Sequence, residues 1–218
     1  MIYFNAHTHQ QSEEPDSISL VNLEIQERLL TDFPEPDSRT IYSSGIHPRA
    51  INDGWQKDLQ TIESLLQQKK LSALGECGLD KVCDTPFELQ EKVFIAQITL
   101  ANEYHVPLII HCVKAFDHLL SIRKNLSNSC PMIIHGYRGG TGLTSQLLKE
   151  RFLYFSFGPN YSPDSLKIIP VERLFVETDV SSISIITAYR QVASTLQISE
   201  QVLAEQTLTN KKRVFPLR

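Results

Sequence analysis

The sequence predicts an α/β chain folded as a closed (β/α)8 TIM barrel, and three observations carry that expectation. Eight short apolar runs recur along 218 residues, most of them continuous rather than alternating, and polar residues able to bind metals stand where the runs stop. Continuous apolar runs mark parallel strands buried on both faces, and a barrel gathers the carboxyl ends of all its strands on one face. The alternative is an open doubly wound sheet. That architecture usually carries a Gly-rich phosphate loop after its first strand, and here the position holds His7 and His9.

Taken in order, residues 2–7 form the first strand and residues 10–16 a polar loop, with a second strand at 18–23. Parallel strands usually need a crossover of about a dozen residues, so the first β-to-β crossover is expected to be trimmed, without its helix. A helix over 24–30 leads through Pro34 and Pro36 to a strand at 40–45. Leu59, Ile62, Leu65 and Leu66 give residues 55–69 a helical spacing, and a strand at 71–76 follows, closing on Glu76. Thr85, Pro86 and Glu88 spell a capping box ahead of a helix striped by Phe87, Phe94, Ile98, Ala101 and Tyr104. Strands at 107–111, 132–135, 152–157 and 174–177 alternate with helices at 116–126 and 143–151, and helices at 185–196 and 200–214 close the chain.

Composition bounds the class. With 41% hydrophobic and 21% charged residues the chain reads as one soluble domain over 1–218. No apolar run approaches the ~20 residues a membrane helix needs, and the N-terminus lacks a signal pattern, so a cytoplasmic protein is expected. Cys77, Cys83, Cys112 and Cys130 lack metal-site spacing and read as free thiols. A formal charge of -4 removes any general attraction to nucleic acid, so a phosphate-bearing substrate needs a local patch or metal ions.

The chemistry starts at His7-Thr8-His9. Residues i and i+2 of a strand share a face, so both imidazoles can grip one ion. Glu76, His111, His135 and Asp179 stand at or just past the ends of later runs. Four imidazoles and two carboxylates are too many for one ion with an open position and suit two. Without thiolate, the set favours zinc, manganese or iron, and magnesium less. Any one of these histidines alone would read as a core residue; six ligand types in register read as a site.

At this point the chain resembles the TatD-like metal-dependent hydrolases of the amidohydrolase-type barrels. The resemblance rests on His7-Thr8-His9, Gly45-Ile46-His47-Pro48, Gly75-Glu76-Cys77-Gly78-Leu79-Asp80, Pro107-Leu108-Ile109-Ile110-His111, His135-Gly136, Glu177-Thr178-Asp179, and Asn210 with Phe215. It implies that His7, His9 and Asp179 hold one metal, His111 and His135 the second, and Glu76 bridges them, the expected cofactors being two divalent ions (Zn, Mn or Mg, with Zn or Mn favoured). It also implies deoxyribonuclease activity, chiefly exonucleolytic. Two departures stand out: Asn5 replaces an Asp common in relatives, and the stretch 180–184 is short and neutral where relatives often carry a Pro-containing substrate loop. Glu76 stands where the related dihydroorotases use a modified lysine, which separates the chain from that group.

The expected reaction is hydrolysis of DNA or a small phosphoester, with Asp179 and Glu76 as the catalytic pair and Asp179 accepting the proton. His47, Lys81 and Arg138 are the candidate substrate-binding groups because they adjoin the motifs; Arg49 and Lys114 read as surface charges. A carboxylic ester or amide hydrolase would use the same two ions, and an idle metal-binding scaffold is the non-enzyme reading. Neither a membrane nor an obligate protein partner is expected. Cys77 and Cys112, by alternation, should face away from the ligands beside them.

Overall fold

The computed structural model describes residues 1–11, 14–25, 31–34, 37–126 and 130–215. Eight parallel strands close into a barrel in sequence order: β1 Tyr3–Thr8, β2 Ser17–Asn22, β3 Thr40–Ser44, β4 Ala73–Asp80, β5 Leu108–Val113, β6 Met132–Ile134, β7 Leu153–Phe157 and β8 Leu174–Val176. The helices are α1 Trp55–Gln67, α2 Phe87–Tyr104, α3 Phe116–Asn125, α4 Thr141–Leu147, α5 Pro163–Ile168, α6 Ile185–Leu196 and α7 Glu200–Val214. No helix stands among the described residues between β1 and β2, as the trimmed crossover requires; Ser12 and Glu13 lie outside the described residues. Most of the helix expected over 24–30 also lies outside them.

The sequence sorts itself into an inner and an outer layer. Phe4, Leu20, Ala73, Ile109, Ile133, Tyr154 and Phe175 fill the barrel interior, and Val214 and Phe215 at the end of α7 plug its amino-terminal mouth. Phe215 meets Phe4 edge-on at 5.4 Å between ring centroids, a favoured aromatic geometry. Asn210 anchors that plug, donating from Nδ2 to the carbonyls of Val171 and Leu174 at 2.8 Å each. The outward faces, with Leu74, Cys77, Leu108, Ile110, Phe155 and Val176 among them, pack under the helices.

Two strands carry an extra residue. Between Leu74 and Cys77 the pairing of β4 with β5 slips, three steps on β4 facing two on β5, and β1 slips against β2 between Asn5 and Thr8. Each bulge reverses the in-out alternation beyond it. Gly75, with φ +138°, is required there: a Cβ would strike the Ile109 backbone.

The structure corrects three sequence-based expectations. β4 runs on to Asp80, so Glu76 lies mid-strand rather than at its end; Cys77, Gly78 and Leu79 extend the ladder along β5. α5 was not foreseen, because its one turn and a half is too short to show a period. The capping box at Thr85 is not formed, for Pro86 occupies the N-cap position without a side-chain bond. Instead Gln90, buried, accepts from the Asp80 N–H at 2.8 Å and donates to the Thr85 carbonyl at 2.7 Å, fixing the loop from within.

Candidate metal centre

The two bulges aim the site. Strict alternation from inward Ala73 would turn Glu76 outward; the extra residue turns it in, and Gly78 and Asp80 follow on the same face. The β1 bulge does likewise for His7 and His9 beyond inward Ala6. His111 and His135 need no bulge, standing two residues beyond inward Ile109 and Ile133, and Asp179 stands four beyond inward Phe175.

The other five ligand-type residues gather around Glu76. Its Oε2 lies 3.5 Å from His7 Nε2 and 3.7 Å from His9 Nε2. Asp179 Oδ1 closes that side, 3.7 and 3.6 Å from the same two nitrogens. Glu76 Oε1 lies 2.9 Å from His111 Nδ1, 2.7 Å from His135 Nε2 and 3.3 Å from His47 Nε2. The carboxylate therefore divides the cluster into two halves. Asp179, in the left-handed region at φ +52°, reaches the centre from beyond β8, its N–H donating to the His7 carbonyl at 3.0 Å.

The electrostatics follow from burial. Burial alone would push the Glu76 carboxyl up, but the imidazoles of His111, His135, His47 and His7 facing its two oxygens override it and hold the group far below the usual carboxylate range. Burial would lower His135; Glu177 and Glu76 outweigh it and raise it well above an ordinary imidazole. His9 is raised chiefly by its hydrogen bond to Glu76.

Whether the cluster suits a cation is tested by His7. Both of its ring nitrogens are buried without a hydrogen-bond partner among the described residues, a rare condition for an imidazole. A cation between Nε2 and the two facing carboxylate oxygens would satisfy that nitrogen. Three sets of donor atoms close enough to share an ion are present: His7, His9 and Glu76; His7, His135 and Asp179; and His47, Glu76 and His111. Nitrogen and oxygen donors of this kind suit divalent transition ions.

The candidate substrate-binding groups part company. His47 lines a cavity and also abuts Glu76; its Nδ1 accepts from the Arg49 N–H at 3.1 Å, which leaves Nε2 to carry the proton. Lys81 is tied to Asp117 at 3.2 Å and lies over the Phe87 ring. Arg138 is exposed and lines the cavity beside His111 and His135. Cys77 faces the outer core, its thiol pushed well up by burial; burial likewise puts Cys112 up to about 12.

Two further residues act on the centre. Asp80, fully buried, has Oδ2 3.2 Å from His111 Nε2 and accepts two bonds from Arg49. Glu177, also buried, accepts from the Gly136 N–H at 2.7 Å and stands 3.5 Å from His135 Nδ1. Both were readable in principle, since Asp80 is four residues beyond Glu76 and Glu177 two before Asp179, the period of one strand face. Asn5 gives and takes a hydrogen bond with Thr178, 2.8 Å from Nδ2 to Oγ1 and 3.1 Å from the Thr178 N–H to Oδ1.

A closed parallel barrel with a histidine and carboxylate centre toward the carboxyl ends of its strands places the chain among the metal-dependent hydrolases. More particularly, the chain belongs to the TatD related DNase family, whose sequence model matches residues 18–216. It is similar to the uncharacterized metal-dependent hydrolase YabD of Bacillus subtilis, 28% identical over 251 residues that cover 97% of this chain and 98% of that one. It is also similar to the 3'-5' ssDNA/RNA exonuclease TatD of Salmonella typhimurium, 30% identical over 148 residues, though that match spans 63% of this chain and 56% of the exonuclease. The crystal structure of YjjV, a TatD homolog from Escherichia coli, has the same fold, with a TM-score of 0.80 at 18% identity over 99% of this chain and 98% of that one.

Proposed function

We propose that the protein hydrolyses phosphodiester bonds of DNA, from an end, with two divalent ions, zinc or manganese suiting the donor set best. The observation that carries the reading is Glu76, whose Oε2 faces His7 and His9 while Oε1 faces His111 and His135. In this reading His7, His9 and Asp179 would hold one ion and His111 and His135 the other, with Glu76 available to both. When bound, the ions would acidify a water and offset charge on the phosphoryl oxygens.

The chain's own groups do the rest. Asp179, beside the centre and open to solvent, accepts the proton from water as its oxygen bonds phosphorus. The bond from phosphorus to the sugar oxygen breaks, the leaving oxygen takes a proton, and a phosphomonoester and an alcohol result. Asp80 and Glu177 hold the His111 and His135 rings in orientation from behind. Arg138 meets a substrate phosphate.

Metal-reconstituted protein should hydrolyse bis-p-nitrophenyl phosphate and shorten single-stranded DNA, and should turn over p-nitrophenyl acetate much more slowly. Turnover of the acetate with no phosphodiester cleavage would replace this reading with a carboxylic ester hydrolase.

A further inference from the structure

Two cavities open onto the centre from opposite sides, and their charges differ. One, of about 500 Å³, shares His111, His135 and Asp179 and is lined by Lys114, Arg138 and Phe116. The other, of about 380 Å³, shares His9, His47 and Glu76 and is lined by Glu24, Asp58, Arg49, Asn22 and Asn52. Both are of a size that holds a small-molecule moiety.

The cations of the first cavity are available. Lys114 and Arg138 are exposed, with no acidic partner within ion-pair distance among the described residues. Lys114 projects from a left-handed turn, φ +52°, at the end of β5. Phe116, partly buried on the same wall, offers a face to a base. In the second cavity the one arginine is already engaged: Arg49 donates twice to Asp80, at 3.1 and 3.0 Å. Beside the shared His9, His47 and Glu76, the lining there is the carboxylates of Glu24 and Asp58, the amides of Asn22 and Asn52, whose Oδ1 atoms already accept from the Glu76 and Gly54 N–H groups, and the apolar edges of Ile25 and Ile46.

We propose that the substrate end entering this site bears no terminal phosphate. The terminal nucleoside occupies the cavity of Glu24 and Asp58, while the phosphate next to the scissile one lies against Lys114 and Arg138. A phosphate on the terminal nucleoside would face two carboxylates and a paired arginine, whereas one on the inner side meets two free cations. This rests on the phosphodiesterase reading and adds to it a direction: the strand lies one way across the centre.

The test uses the metal-loaded enzyme and three thymidine dinucleotides: unphosphorylated TpT, 5′-phosphorylated pTpT and 3′-phosphorylated TpTp. One phosphorylated form should exceed TpT in kcat/KM by about fivefold to tenfold and the other should fall below it by a similar factor, the scale of partly exposed charge contacts. In Lys114→Asn with Arg138→Ala, Asn being tolerant of the left-handed turn, the advantage over TpT should collapse; in Glu24→Gln with Asp58→Asn, the penalty should. Equal effects of both terminal phosphates, or discrimination that survives in both double variants, overturn the inference while leaving the phosphodiesterase reading intact. Failure to hydrolyse even bis-p-nitrophenyl phosphate overturns the phosphodiesterase reading and the inference with it.

Discussion

Ala73 and Glu76 both face the barrel interior although three steps of chain separate them, because β4 takes one more residue than β5 between Leu74 and Cys77. Deleting Gly75 should therefore remove the bulge and leave Glu76 two positions beyond Ala73, still facing inward, in strict alternation with β5. Gly75→Ala is the milder probe, setting a Cβ against the Ile109 backbone at a φ of +138°. It should destabilise by more than about 2 kcal/mol, read as a lowered midpoint in urea. An unchanged midpoint would mean that the bulge tolerates a side chain.

Glu76→Ala removes the carboxylate that both halves of the cluster share. Bound metal should fall from two equivalents to one or none, with phosphodiesterase activity lost, whereas Arg138→Ala should raise KM and leave metal content unchanged. Elemental analysis beside kinetics decides it. Two retained ions and near-normal turnover in Glu76→Ala would end the two-ion reading.

Asp80→Asn should weaken metal binding by about tenfold to a hundredfold, the usual cost of losing the carboxylate behind a ligand histidine. Asp80 also holds Arg49, so Arg49→Ala is the control and should change affinity much less. Competitive titration against a chromophoric chelator reads both; equal losses would assign the effect to the Arg49 pair instead of the His111 contact.

His135 is raised above its ordinary 6.5, while Glu76 and Glu177 are held below 4.5. Their contacts thus stabilise the metal-free protein fully below about pH 6.5 on the histidine side, and that contribution is lost as pH rises through the raised value. On the carboxylate side it is present above about 4.5 and lost as pH falls through the depressed values. The metal-free Tm should peak between about pH 4.5 and 6.5 and decline above it. Metal stabilisation should grow over the same rise, because the ligands must shed protons to bind. Thermal melts with chelator and with added zinc check the two slopes; parallel curves would refute the account.

Most of the barrel and the six converging residues were legible because the signals are local: continuous apolar runs, and ligand types at their ends. What was missed depends on neighbours. The bulges at Gly75 and in β1 exist only as a mismatch with another strand, so reading His7, His9 and Glu76 as inward from the ends of their runs reached the right face without the reason for it. That His47 also abuts Glu76 is not legible in Gly45-Ile46-His47-Pro48, because nothing there tells how far β3 stops from Glu76. The pairing of Lys81 with Asp117 is likewise hidden in the sequence, because α3 brings Asp117 beside it from 36 residues away.

The β1 to β8 junction has a consequence for how the protein holds itself closed. Within the strands the ladder there amounts to one pair, Asn5 with Val176, and a bridge from Thr8 to Asp179. Side chains complete it: Asn5 with Thr178, and the Tyr189 hydroxyl, which donates to the Phe4 carbonyl at 2.9 Å and accepts from its N–H at 3.2 Å. Tyr189→Phe should accordingly cost about 1–3 kcal/mol, leaving a buried N–H unpaired, and denaturant melts will show it. The groups proposed to bind the first ion straddle this seam, His7 and His9 on one lip and Asp179 on the other. An ion seated there would act as a clasp, so the amide protons of β1 should exchange fastest in the metal-free protein and slow on loading, reporting closure of the barrel itself.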